Sequence, residues 1–153
     1  MGNRTPGAAT ANQNQWTAGR PADDAGRVTL RIQCLAIDCA DPEKLSAFWS
    51  AALGLPSFPL DGGDVWIGPG EGHPEDGILP DLLFQKVPGH DKKLRKNRLH
   101  LDLRPDDQDA EVARLESLGA RRADIGQGDV SWIVLTDPEG NEFCVLTPRT
   151  PAG

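Results

Sequence analysis

No stretch of this chain approaches the roughly 18 apolar residues a membrane helix needs, so the sequence reads as a soluble, cytoplasmic protein with no membrane partner. Residues 1–26 are nearly empty of large apolar side chains apart from Trp16. Rich in Ala, Gly, Asn, Thr and Gln, they cannot offset their ordering entropy and are expected to form a disordered tail that can be removed with little loss of stability. No apolar run follows the early Arg4, which excludes a secretory signal within them. Cysteine is scarce and odd in number: Cys34, Cys39 and Cys144 suit buried thiols or ligands better than a disulfide framework. Positive charge is also short, with a formal net charge of -7, so the broad basic face of a nucleic-acid binder is missing. The one local exception is Lys92, Lys93, Arg95, Lys96 and Arg98, which reads either as a solvated loop or as an anion-attracting rim.

What the chain does have is an internal repeat. Cys34 stands seven residues before Asp41, and His100 seven before Asp107. The stretches CLAIDCADPEKLSAFWSAALG and HLDLRPDDQDAEVARLESLG each read as a strand, a capped helix and a glycine stop. Matched Trp-Ile pairs follow (Trp66-Ile67, Trp132-Ile133), and then Phe84-Gln85 and Phe143-Cys144. The offsets are 66 at Asp41/Asp107, 66 at Trp66/Trp132 and 59 at Phe84/Phe143. Such duplication is a fold-level signal.

Strands are expected over 28–38, 65–67, 82–87, 98–104, 121–125, 130–135 and 142–146, with helices after Asp41 and after Asp106/Asp107. In the first helix Leu45, Phe48, Trp49, Ala52 and Leu53 share one face; in the second Val112, Leu115 and Leu118 do. Over 98–104, Leu99, Leu101 and Leu103 should pack inward, with Arg98, His100, Asp102 and Arg104 on the other side. Along an extended strand, side chains two apart sit almost 7 Å from each other, so His100 and Asp102 are expected to find separate partners. Phe48, Trp49, Phe84 and Phe143 are assigned to the core; Trp66 and Trp132 are candidate cavity walls. Asp137-Pro138-Glu139-Gly140-Asn141 reads as a turn.

The element count gives an α+β fold of two βαβββ modules, with helices on one face of a curled mixed sheet and a central cleft on the other. The first module covers 27–88 and the second 97–148, followed by a tail at 149–153.

This order, together with DCADPEKLSAFWSAALG, KNRLHLDLR and DPEGNEF, resembles the vicinal oxygen chelate superfamily, and most of all its bacterial glyoxalase-like branch of glyoxalase, bleomycin-resistance and dioxygenase type. The resemblance implies a cavity built by two modules, a homodimer, and one divalent metal chelated by neighbouring oxygens of a small substrate. Carried over residue by residue, it puts metal ligands at Cys34, Gln85, His100 and Cys144. Two thiols and an imidazole would suit zinc, with iron the other candidate; alternatively the thiols are buried strand residues, no metal binds, and His100 is a hydrogen-bonding cavity group. The function implied is lyase, isomerase or dioxygenase-type chemistry with His100 as ligand or base, or else metal-free sequestering or sensing of a small molecule. Arg98 and Arg104, beside His100 and Asp102, favour a ligand with an anionic or oxygen-rich edge.

Overall fold

The computed structural model describes residues 32–88, 93 and 95–149. The expected N-terminal tail, the start of the first strand, Lys92 and the end of the C-terminal tail lie outside the described residues.

The first module runs β1 (Cys34–Cys39), α1 (Pro42–Leu53), β2 (Ser57–Pro59), β3 (Val65–Ile67) and β4 (Asp81–Lys86). The second runs β5 (Asp102–Leu103), α2 (Gln108–Ser117), β6 (Arg121–Arg122), β7 (Ile133–Thr136) and β8 (Glu142–Val145). Each is a mixed four-stranded sheet, in the orders β1-β4-β3-β2 and β5-β8-β7-β6, with the first and last strands of each module parallel. The architecture is the expected α+β pair of βαβββ modules, as two sheets that are not closed into one barrel. No described helix is long and apolar enough to cross a membrane.

The helix starts follow from local chemistry. Asp41 accepts the Lys44 N–H at 3.0 Å and Pro42 fills the first helical position. Asp107 accepts the Ala110 N–H at 3.0 Å in the same way. Gly54 ends α1 at φ 69, a conformation cheap only for glycine.

Leu45, Phe48 and Trp49 of α1 are buried with Val112 and Leu115 of α2, Phe84 of β4 and Phe143 of β8 in one core. Each such side chain contributes about 1.5–3 kcal/mol through burial. The core ties the modules together: the rings of Trp49 and Phe143 meet edge to face at 5.0 Å.

Polar contacts reinforce that union. The Glu139 carboxylate, in the turn before β8, accepts the backbone N–H groups of Ala40 and Asp41 at 3.0 and 2.8 Å, at the start of α1. Trp49 Nε1 donates to the buried Asp137 at 3.2 Å. Arg114 of α2 donates to the Ala51 and Ala52 carbonyls at the end of α1, at 3.0 and 2.7 Å. Thus the DPEGN turn does more than reverse the chain: it holds the other module.

Two expectations need correction. The strand expected over 98–104 is only Asp102–Leu103, and Leu99, expected to pack inward, is 83% exposed. Its alternation is strand-like, but only Asp102 and Leu103 pair with β8. Leu118, expected in the buried stripe of α2, is exposed because the helix ends at Ser117. A further strand, β2, falls in a segment that reads as turns.

Candidate functional site

α1 packs against β2, β3 and β4, and the core takes Cys39, Ile67, Leu82 and Phe84 on that side. By strand alternation, Cys34, Asp38, Trp66 and Gln85 therefore stand on the opposite, open face of the first sheet. In the second sheet Phe143 and Val145 enter the core, so Cys144 faces the other way, beside Asp102 in register.

There three donors of different chemistry converge. His100, Asp102 and Cys144 each offer a ligand atom, all within 4.8 Å of one another. His100 Nε2 lies 3.3 Å from an Asp102 carboxylate oxygen, with side chains 38% and 53% exposed. The expected separate partners for His100 and Asp102 are thus corrected. Because β5 begins only at Asp102, His100 sits outside the strand and is not held at extended-strand spacing. Cys144 is buried. Burial first, then hydrogen bonding and negative charge from Asp102, push its thiol from 9.0 up to about 11, against an opposing pull from Lys96.

The donor set fits a divalent ion such as zinc. Nitrogen, oxygen and sulfur ligands at about 2.0–2.3 Å from zinc stand roughly 3.3–3.8 Å apart, with a fourth position left for water or substrate. The His100–Asp102 separation already matches, and the 4.8 Å limit leaves small side-chain adjustments for the third.

The other sequence-selected residues lie elsewhere. Cys34 is exposed and outside this cluster. It pairs with Asp81, whereas Gln85 pairs with Asp38 four residues further along; roughly 13 Å of strand separates the two positions. Arg98 is exposed in a bend next to His100, and Arg104 donates to the Thr147 carbonyl while lining a groove of about 550 Å³ beside Pro105 and Glu111. Lys93 pairs with Glu142. Trp66 is half-buried within β3, and Trp132 is 39% exposed just before β7. Sequence reasoning gave Asp102 to ligand binding and did not join it to the donors; the signal that does so is its register opposite Cys144.

Two four-stranded mixed sheets, each following a βαβββ order, are the modules of a vicinal oxygen chelate fold. Solved structures share it. A glyoxalase/bleomycin resistance protein/dioxygenase family enzyme from Burkholderia phytofirmans is 16% identical, with a TM-score of 0.57 over 78% of this chain and all of that one. The trypanothione-dependent glyoxalase I of Leishmania major is also 16% identical, with a TM-score of 0.57 over 78% of this chain and 87% of its own. An antibiotic-binding protein from a Streptomyces species is 23% identical, with a TM-score of 0.52 over 80% and 99% of the two chains. No curated protein matches the sequence. The glyoxalase-like domain family matches residues 34–146, and the chain belongs to that family.

Proposed function

We propose that this protein is a metal-assisted enzyme of lyase, isomerase or dioxygenase type, acting on a small oxygenated molecule at His100, Asp102 and Cys144. The observation that carries this reading is the convergence of the three donors within 4.8 Å on the face of the second sheet turned away from the core. A bound divalent ion would polarise a substrate oxygen there and lower the pKa of a bound water. The chain's own groups do the rest. His100 supplies a nitrogen donor and Asp102, 3.3 Å away, an oxygen donor. Lys96, whose charge already reaches Cys144, and Arg98 beside His100 draw an anionic or oxygen-rich substrate edge toward the cluster. A homodimer that brings the first module of a second copy opposite the cluster would let either Gln85 or Cys34 approach it, but not both, since they stand four residues apart in register; light scattering on the purified protein tests that assembly.

Cobalt titration tests the site. One equivalent of Co(II) should bind with a thiolate charge-transfer band that C144S abolishes, and H100A and D102N should each weaken binding about ten-fold or more. Binding indifferent to all three substitutions overturns the reading. A second reading, metal-free binding of a small molecule, is favoured by the burial of Cys144, where free thiols ordinarily sit. It stands if no thiolate band forms while ligand binding persists in H100A.

A further inference from the structure

The open face of the first sheet carries a second feature, sharing no residue with the donor cluster. One continuous row crosses all four strands: Phe58 pairs with Trp66, Trp66 with Leu83, and Leu83 with Ala36. The row is apolar throughout, yet none of its members is buried: Phe58, Trp66 and Leu83 are half-buried and Ala36 is exposed. The Phe58 and Trp66 rings are stacked, with centroids 4.1 Å apart and planes 17° off parallel. Two aromatics stacked face to face brace each other and leave the outer face of the pair for a further ring, which costs little further ordering to bind.

At the edge of this platform stands Asp81. A β-carbon placed on Gly68 would lie 2.1 Å from an Asp81 carboxylate oxygen and 3.0 Å from the Trp66 ring. The glycine therefore makes room for the carboxylate to lean over the β3 end, next to the indole. The acid is poorly compensated there. Burial first, then the charge of Asp76, raise its pKa, opposed only by a hydrogen bond from the Gln33 side chain. Among the described residues, no ion pair involves Asp76 or Asp81. A half-buried carboxylate repelled by its neighbour and without a cation among the described residues gains most from a positively charged visitor, and an aromatic face beside it favours one that is flat.

We propose that the Phe58–Trp66–Leu83–Ala36 row and Asp81 form a binding subsite for a planar aromatic cation, whose ring stacks on the Trp66 face that Phe58 leaves free, over Leu83, and whose protonated nitrogen pairs with Asp81. The exposed, small Ala36 leaves open the end of the row where a ring overhangs Leu83. Gly68 keeps the carboxylate beside that ring. The subsite does not depend on metal at His100, Asp102 and Cys144, and the two fail separately.

Proflavine, a flat tricyclic cation, is the probe, and an anthracene carboxylate of similar outline is the anionic control. Calorimetry on the full chain should give saturable binding of about one proflavine, weakening as salt rises, and no saturable binding of the carboxylate. D81N, which keeps shape and removes charge, should weaken proflavine about ten-fold or more, the size expected for a lost charge-assisted bond. W66F should do likewise through lost ring area, and it keeps the site testable if W66A fails to fold. G68A, which displaces the carboxylate, should resemble D81N. H100A should leave proflavine binding unchanged. Equal affinity for the cation and the anion, or binding unmoved by both D81N and W66F, overturns the subsite. Loss of binding in H100A overturns its independence from the cluster.

Discussion

Replacing Glu139 by alanine removes both acceptors that hold the start of α1, the bonds from Ala40 and Asp41 at 3.0 and 2.8 Å. Hydrogen bonds to a charged acceptor are worth about 1.5–3 kcal/mol each where fully sheltered. Here the Asp41 bond is exposed and the Ala40 bond only partly buried, so water replaces part of what is lost. About 1 kcal/mol apiece is the reasonable figure, including the favourable placing of negative charge at a helix N-terminus. The total is about 2 kcal/mol, which for a domain of this size lowers the melting temperature by roughly 6–10 °C. E139Q keeps one oxygen acceptor without the charge and should lose about half as much. Calorimetry on the three proteins measures the shifts, and urea titration should show the midpoint falling with an unchanged slope. A shift under about 2 °C for E139A would refute the idea that this carboxylate joins the modules energetically.

Three further outcomes follow from Trp49 and from the thiols. Trp49→Phe removes the indole N–H bond to buried Asp137 while keeping most of the ring packing; chemical denaturation should register a loss of about 1–2 kcal/mol. Among the thiols, exposed Cys34 should react rapidly with a disulfide reagent near neutral pH, and Cys39 and Cys144 only on unfolding, so C34S should lose the fast phase. Burial is the leading cause that raises Cys39 from 9.0 to about 12 and Cys144 to about 11. Above pH 9 the unfolded thiols ionise while the folded ones keep their protons. Stability is therefore whole below pH 9 and falls as pH rises toward 11–12, by up to about 1.4 kcal/mol per pH unit per thiol. C39A should flatten that alkaline fall; an unchanged slope would count against it.

Features written in neighbouring residues were readable before the structure. Asp41 and Asp107 cap their helices, and Gly54 and Gly119 take positive φ, because caps and left-handed stops depend on a few adjacent positions. Phe48, Trp49, Phe84 and Phe143 are buried where helix and strand periods put them. Where pairing over long distances decides, the sequence pattern misled. Leu99 alternates perfectly with its neighbours, yet the partner strand begins pairing only at Asp102. The proximity of His100 to Asp102 depends on that late start, and the proximity of Asp102 to Cys144 on a register set 42 residues apart in the chain, which no local pattern encodes. The Phe58–Trp66 platform was hidden for the same reason: Ser57–Pro59 becomes a strand only because β3 pairs with it.

The bonds from Glu139 to Ala40 and Asp41, and from Trp49 to Asp137, close loops of 99, 98 and 88 residues. During synthesis the chain grows from its N-terminus, so the first helix leaves the ribosome long before the groups that complete it. Until the segment from Asp137 to Val145 has emerged, α1 starts without its carboxylate, Trp49 lacks its acceptor and Phe143 is missing from the ring cluster. The duplication in the sequence does not amount to two units that mature one after the other. A nascent chain halted before Asp137 would expose the Trp49 side of α1 to chaperones, and release of the last strand is what commits both modules to the native state together.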